Sequence, residues 1–180
     1  MWIGSPLRGV FRLTTYVTLT LVLLPIYFLA LALRIQPVIR WMPVAYHRTV
    51  CFILGIKVRV LGRRSDATPT LFVSNHVSYL DIEVMGGLVP VSFVAKAEVA
   101  TWPFFSTLAK AQRTIFIERT SGKTSRSRDE MMKRLNTGDN LMLFPEGTSS
   151  DGTRVLPFRT ALFGVAQLRH DGKPIVVQPV

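Results

Sequence analysis

TLFVSNHVSYLD (70–81) sets a short apolar run directly against a polar cluster. The run reads as a buried strand, and the cluster that follows it as a loop carrying chemistry. Runs of the same kind recur at KVRVL (57–61), VSFVA (91–95), TIFIE (114–118), NLMLF (140–144) and PIVVQ (174–178). Between most of them lie helix-length stretches, such as 96–110 and 124–136. The second carries Met131, Met132 and Leu135 at helical spacing, behind Ser125 and Ser127 as caps. Strand–helix alternation predicts an α/β fold: a mostly parallel sheet flanked by helices, with its chemistry beyond the carboxyl ends of the strands.

Upstream the composition changes. The chain has 180 residues, 48% apolar and 18% charged, with a net charge of +11. Residues 1–65 hold nine Arg/Lys and no acid, so the positive excess sits on the most apolar third. Basic and apolar together point to an anionic membrane surface before nucleic acid, since residues 66–180 are nearly neutral. Between Arg12 and Arg34 lie 21 uncharged residues, about the length that spans a bilayer as a helix. Bases on both sides give no orientation. The run fits a spanning helix, and it fits equally a helix kinked at Pro25 that enters and leaves on one face, with residues 37–55 along the interface. The division expected is a membrane-associated helical segment, 1–55, ahead of an α/β domain, 56–180. A single cysteine, Cys51, excludes a disulfide framework and a Cys-rich zinc site.

Two clusters could do chemistry. In Ser74–Asp81, a loop-to-helix turn capped by Ser74 or Asn75 can bring His76 and Asp81 together. The carboxylate then takes one imidazole nitrogen and leaves the other as a base. Taken alone, the pair also fits a capped helix with an incidental histidine. In Phe144–Ser150, Gly147 permits close backbone approach, and Glu146, Thr148 and Ser149 offer polar groups. Arg119 ends one apolar run and Arg113 precedes it; an arginine at a strand's carboxyl end suits a phosphate. Gly122-Lys123-Thr124 is not a P-loop, because position 117 is Ile. The histidines His47, His76 and His170 have no metal-site spacing, and no G-x-S-x-G elbow occurs.

In this order, the motifs resemble those of the glycerolipid acyltransferases that acylate lysophosphatidic acid and related lysolipids. The N-H-x-x-x-x-D motif is complete as Asn75-His76-Val77-Ser78-Tyr79-Leu80-Asp81. The second is similar to Arg113-Thr114-Ile115-Phe116-Ile117-Glu118-Arg119, and the third to Phe144-Pro145-Glu146-Gly147-Thr148-Ser149-Ser150. The fourth looks like Ile175-Val176-Val177-Gln178-Pro179-Val180. The resemblance covers about residues 35–180. It implies transfer of a fatty acyl group from a thioester, acyl-CoA or acyl carrier protein, to a lysolipid hydroxyl, with no cofactor besides that co-substrate. His76 is then the general base and Asp81 its orienting partner. Asn75, Arg113, Arg119, Glu146, Gly147, Thr148 and Ser149 are the expected acceptor-binding residues. Arg119, backbone N–H groups near Gly147 and the Thr148 hydroxyl would meet a phosphate, while Glu146 would hold Arg119 or an acceptor hydroxyl. The implied partners are membrane lipids, and the implied location is the cytoplasmic face of a bacterial inner membrane, with the front helices delivering the lysolipid.

The departures bear on the acceptor. Arg113 replaces the glycine that opens the second motif, Glu118 replaces its aspartate, and Ser149 replaces an arginine of the third. Arg113, Arg154 or Arg159 could return the lost charge. The first expectation is 1-acylglycerol-3-phosphate as acceptor, giving phosphatidic acid. QRTIFIER and FPEGTSSDGTRVLPF resemble the bacterial branch that includes lyso-ornithine-lipid O-acyltransferases, which is the alternative. Outside enzymes, the alternative is a catalytically dead, lipid-binding protein of the membrane surface. The chain stops at the fourth motif, so the domain is expected to be truncated at its C-terminus.

Overall fold

The computed structural model describes residues 5–117, 124–159, 163, 166, 169–170 and 172–180. It falls into two compact units. One runs to Leu61 and takes in Glu83–Pro90; the other comprises Gly62–Ile82 and Val91–Val180.

The first unit is built on α1 (Pro6–Ala32) and α2 (Gln36–Leu54). The Arg12 guanidinium donates to the Leu54 carbonyl at 3.0 Å, the Thr20 and Tyr46 hydroxyls meet at 2.8 Å, and the Tyr27 hydroxyl donates to the Ile39 carbonyl at 3.2 Å. Rising residues on α1 meet falling residues on α2, so the two helices form an antiparallel hairpin. Residues 37–55, expected along a membrane interface, thus pack back along α1. That helix continues through Pro25 and, at about 40 Å, is long and apolar enough to cross a membrane. Its exposed Leu7, Phe11, Leu21 and Leu29 fit membrane association.

Glu83–Pro90 joins this unit through two polar contacts. The Glu83 carboxylate lies 2.7 Å from His47 Nδ1, and Arg48 Nε donates to the Gly87 carbonyl at 2.6 Å. Backbone approach is close here, because a Cβ on Gly86 would stand 2.5 Å from His47 Cδ2. His47 is buried, so its ring has little room to yield. Gly86→Ala is expected to cost roughly 1–3 kcal/mol and lower the thermal midpoint in detergent. An unchanged midpoint would refute the contact.

The second unit is a parallel α/β sheet. Its strands are β1 (Thr70–Val73), β2 (Ser92–Lys96), β3 (Ile115–Ile117), β4 (Leu141–Leu143) and β7 (Val176–Pro179), in the order β3-β2-β4-β1-β7. Every pair is parallel, as strand–helix alternation predicts. The short antiparallel pair β5 (Arg169–His170) and β6 (Lys173–Pro174) stands apart. Leu71, Val73, Val94, Ile115, Ile117, Leu141 and Leu143 form one core with Met131 and Leu135 of α5 (Thr124–Asn136). The spacing of Met131 and Leu135 places both on the sheet side of that helix. Ser127 is a buried residue within α5 rather than its cap.

Two expected elements differ. KVRVL (57–61) forms no strand and is largely exposed. Both places beside β1 are taken, by β4 and β7, which leaves Val58, Val60 and Leu61 without a ladder there. The stretch 96–110 is a 3₁₀ turn (Ala97–Thr101) followed by α4 (Phe105–Ala111), because Pro103 interrupts it.

Candidate active site

The ladder between β1 and β4 closes where the Ser74 N–H donates to the Leu143 carbonyl at 3.1 Å. Both chains then enter loops at the carboxyl edge of the sheet. After β1, the Asp81 carboxylate organises the loop. One of its oxygens accepts the N–H groups of Val77 and Ser78 at 2.8 and 3.1 Å, and also the His76 Nδ1–H at 2.7 Å. The Ser78 hydroxyl accepts the Leu80 N–H at 2.9 Å, at the start of α3 (Leu80–Leu88). Ser78, rather than Ser74 or Asn75, therefore caps that helix.

An ionised carboxylate only accepts, so the contact places the imidazole proton on Nδ1 and leaves the lone pair on Nε2. The imidazole is 21% exposed and stacks on Phe144, with ring centroids 4.4 Å apart and planes at 22°. Phe93 lies behind Phe144 at 6.3 Å. The imidazole is thus fixed by a carboxylate at one nitrogen and an aromatic floor under its face, which leaves Nε2 as the nitrogen that could take a proton.

The loop after β4 supports the same histidine. Pro145 and Glu146 are the central residues of a turn closed by the Gly147 N–H on the Phe144 carbonyl at 3.0 Å. Gly147 has φ +70°, a conformation open to glycine. Its N–H closes the turn, which leaves the neighbouring N–H groups as the ones a phosphate near Gly147 could meet. Glu146 is 3% exposed. One of its oxygens accepts the His76 backbone N–H at 2.9 Å, and the other the Leu156 N–H at 2.8 Å. The Ser150 N–H donates to the His76 carbonyl at 2.7 Å. Glu146 is a buried tie between the two loops; Arg119, one of its two expected partners, lies outside the described residues. Thr148 and Ser149 are exposed beside it, and Asn75 is partly exposed next to His76.

Arg113 is not brought to this site. It precedes β3, at the amino edge of the sheet, and its guanidinium pairs with the Asp139 carboxylate at 2.8 and 3.3 Å. Arg134 joins Asp139 at 2.8 Å and donates to the Ser92 hydroxyl at 2.7 Å. Burial, and then the neighbouring Arg113 charge, hold the Arg134 guanidinium below its usual pKa, with Asp139 opposing them. This placement sets Arg113, expected among the acceptor-binding residues, at the edge away from His76. Arg119 and Glu118 lie outside the described residues. Among the described residues, no group of three His, Cys, Asp or Glu side chains is placed to hold a metal ion.

Phe93, Phe144, Ser150 and Leu156 were not legible as site residues. Phe144 and Ser150 stand inside the third motif, Phe93 and Leu156 outside any. Each contributes a ring face or a backbone group, which leaves no mark on side-chain chemistry.

Three comparisons bear on this geometry. The model of the Acyltransferase family matches residues 55–180. A lyso-ornithine lipid O-acyltransferase of Brucella abortus is 45% identical over 168 residues, covering 91% of this chain and 62% of that protein. A 1-acyl-sn-glycerol-3-phosphate acyltransferase of Neisseria gonorrhoeae is 36% identical over 113 residues, 61% of this chain and 43% of that protein. The chain thus spans less than two thirds of the length of these curated relatives. In fold, it is similar to the crystal structure of the 1-acyl-sn-glycerophosphate (LPA) acyltransferase from Thermotoga maritima. The TM-score is 0.53 at 19% identity, over 93% of this chain and 83% of that one.

Proposed function

The chain belongs to the Acyltransferase family, and on that premise we propose that it moves a fatty acyl group from an acyl thioester to the hydroxyl of a lysolipid at a membrane. The observation that carries this reading is the His76–Asp81 pair, 2.7 Å apart at the carboxyl edge of a parallel sheet. His76 Nε2 takes the proton of the acceptor hydroxyl as its oxygen attacks the thioester carbonyl carbon. Asp81 stabilises the imidazolium that forms. The tetrahedral adduct collapses, the C–S bond breaks, and the departing thiolate takes the proton back from Nε2. No acyl-enzyme is needed, and the donor is acyl-CoA or acyl carrier protein. The reaction runs on the cytoplasmic face of a bacterial inner membrane.

For the acceptor, lyso-ornithine lipid is the better-supported reading, ahead of 1-acylglycerol-3-phosphate. The 45% identical relative carries the ornithine name, against 36% over a shorter match for the glycerophosphate one. Two residue positions support the same choice. Ser149 stands where the third motif has arginine, and Arg113 is held by Asp139. With the third motif's arginine absent and Arg113 held elsewhere, a phosphate acceptor lacks one contact that a zwitterionic head group does not need.

The test is acyl transfer by protein in detergent, with labelled acyl-CoA and acyl carrier protein as donors and both acceptors in parallel. Lyso-ornithine lipid is expected to win by roughly tenfold or more in kcat/KM. Preference for lysophosphatidic acid would return the acceptor to the phosphate. No transfer to either, in a chain extended past Val180 as well, would leave a lipid-binding protein without chemistry.

A further inference from the structure

The carboxyl edge of the sheet carries an aromatic cluster that the proposed reaction does not use. It follows β2, where Trp102, Phe104 and Phe105 are 53%, 44% and 53% exposed. Their rings touch one another, with Trp102–Phe105 centroids at 6.4 Å and Phe104–Phe105 at 6.1 Å, both edge-on. The backbone holds them out at a cost. Phe104 has φ +63° and ψ −52°, and the Phe105 N–H donates to the Pro103 carbonyl at 2.6 Å. This is a γ-turn of the positive-φ kind, which is rare and strained for a residue with a side chain. A strained turn that presents three aromatics to solvent gains nothing from burial, so its benefit must come from an occupant.

Neighbouring loops at the same edge add exposed Tyr79 after β1 and Phe158 after β4, and β2, β4 and β1 are adjacent strands. Val99–Ala109 contains no charge, while Lys96 ends β2 and Arg154 and Arg159 stand exposed in the segment after β4. The solvent-facing carboxylates in the segments after β2 and β4 are Glu98, which is exposed, and Asp151, which accepts the Thr153 N–H and hydroxyl; Glu146 is buried between the loops, and Asp81 is turned to His76 Nδ1 and two backbone N–H groups. Aromatics with exposed arginines in the neighbouring loop match the interface of an anionic bilayer, where rings sit at head-group depth and cations meet lipid phosphates. A bilayer is also the surface to which an apolar α1 would hold this chain.

We propose that Trp102, Phe104 and Phe105 form a membrane-docking surface of the α/β unit itself, inserting into the head-group region of an anionic bilayer. A site that opens on the edge bearing this cluster would then receive amphipathic molecules without lifting them through water. The docking stands on exposure and composition, and its readout does not depend on acyl transfer or on the acceptor.

The test uses the full chain with Trp2→Phe and Trp41→Phe, which leaves Trp102 as the single fluorophore. The protein is reconstituted in phosphatidylcholine–phosphatidylglycerol vesicles with and without bromine on the upper acyl carbons. The expected result is loss of at least half the Trp102 emission in brominated vesicles, with a blue shift and protection from aqueous acrylamide. Unchanged emission with full acrylamide access would overturn the proposal. So would protection that appears only when an acyl thioester is added, since the cluster would then cradle a donor chain. If that variant does not fold, Cys51→Ala with Phe105→Cys, spin-labelled, gives the same reading. A head-group depth supports docking, and an aqueous depth overturns it.

Discussion

Replacing His76 by alanine is expected to lower kcat for acyl transfer by about a hundred- to ten-thousandfold, the usual contribution of a positioned base. At the middle of that range the lost stabilisation is about 4 kcal/mol. The effect should fall on kcat, because Nε2 engages the proton only as the hydroxyl attacks, while the lysolipid's chain and head group are held elsewhere. Folding should be little disturbed. The His76 backbone N–H and carbonyl make the ties to Glu146 and Ser150, and alanine keeps both. What is lost inside the protein is one stacking contact on Phe144 and one hydrogen bond to an Asp81 oxygen that still accepts two N–H groups. Vesicle binding should be unchanged. The measurement is kcat and KM for the preferred acceptor, beside a co-sedimentation assay with vesicles. Activity within a few-fold of the parent would remove His76 as base, and lost vesicle binding would make it structural.

How much of this site could be read from the chain follows from the range of its contacts. The His76–Asp81 pair spans five residues within one loop-to-helix turn, so the contact was open to the sequence as one of two readings, and local geometry decides it. Strands β1 and β4 were legible because short apolar runs buried on both faces leave little other reading. KVRVL carried the same pattern but forms no strand, and pairing is a property of distant residues. Arg113 shows the same limit in its charge. The sequence places it next to a strand, while its partner Asp139 lies 26 residues on, at the edge away from the dyad. Glu146 reads as a polar group beside a glycine, and nothing nearby in sequence tells that its carboxylate is buried against a backbone N–H 70 residues earlier.

That buried carboxylate sets the second large effect. Glu146→Ala is expected to cost about 3 kcal/mol or more of stability, since hydrogen bonds to an ionised acceptor contribute roughly 1.5–3 kcal/mol each and two N–H donors lose theirs. Glu146→Gln keeps one acceptor oxygen but turns an NH2 group toward the other N–H, so roughly half the loss should remain. The consequence for the reaction runs through His76. Its backbone N–H is one of the two groups released, and a base displaced by about 1 Å can lose on the order of a hundredfold in rate. The expected pattern is a lower kcat in both variants, graded from glutamine to alanine, with KM for the acceptor nearly constant and a parallel fall in thermal midpoint. A carboxylate that touched the acceptor would behave in the opposite way. KM would rise, the midpoint would hold, and the loss would depend on which head group is offered. Measuring kcat, KM and thermal midpoint for the two variants with both lysolipids separates these cases. A rise in KM confined to one acceptor, at unchanged stability, would move Glu146 from the frame of the site into its specificity.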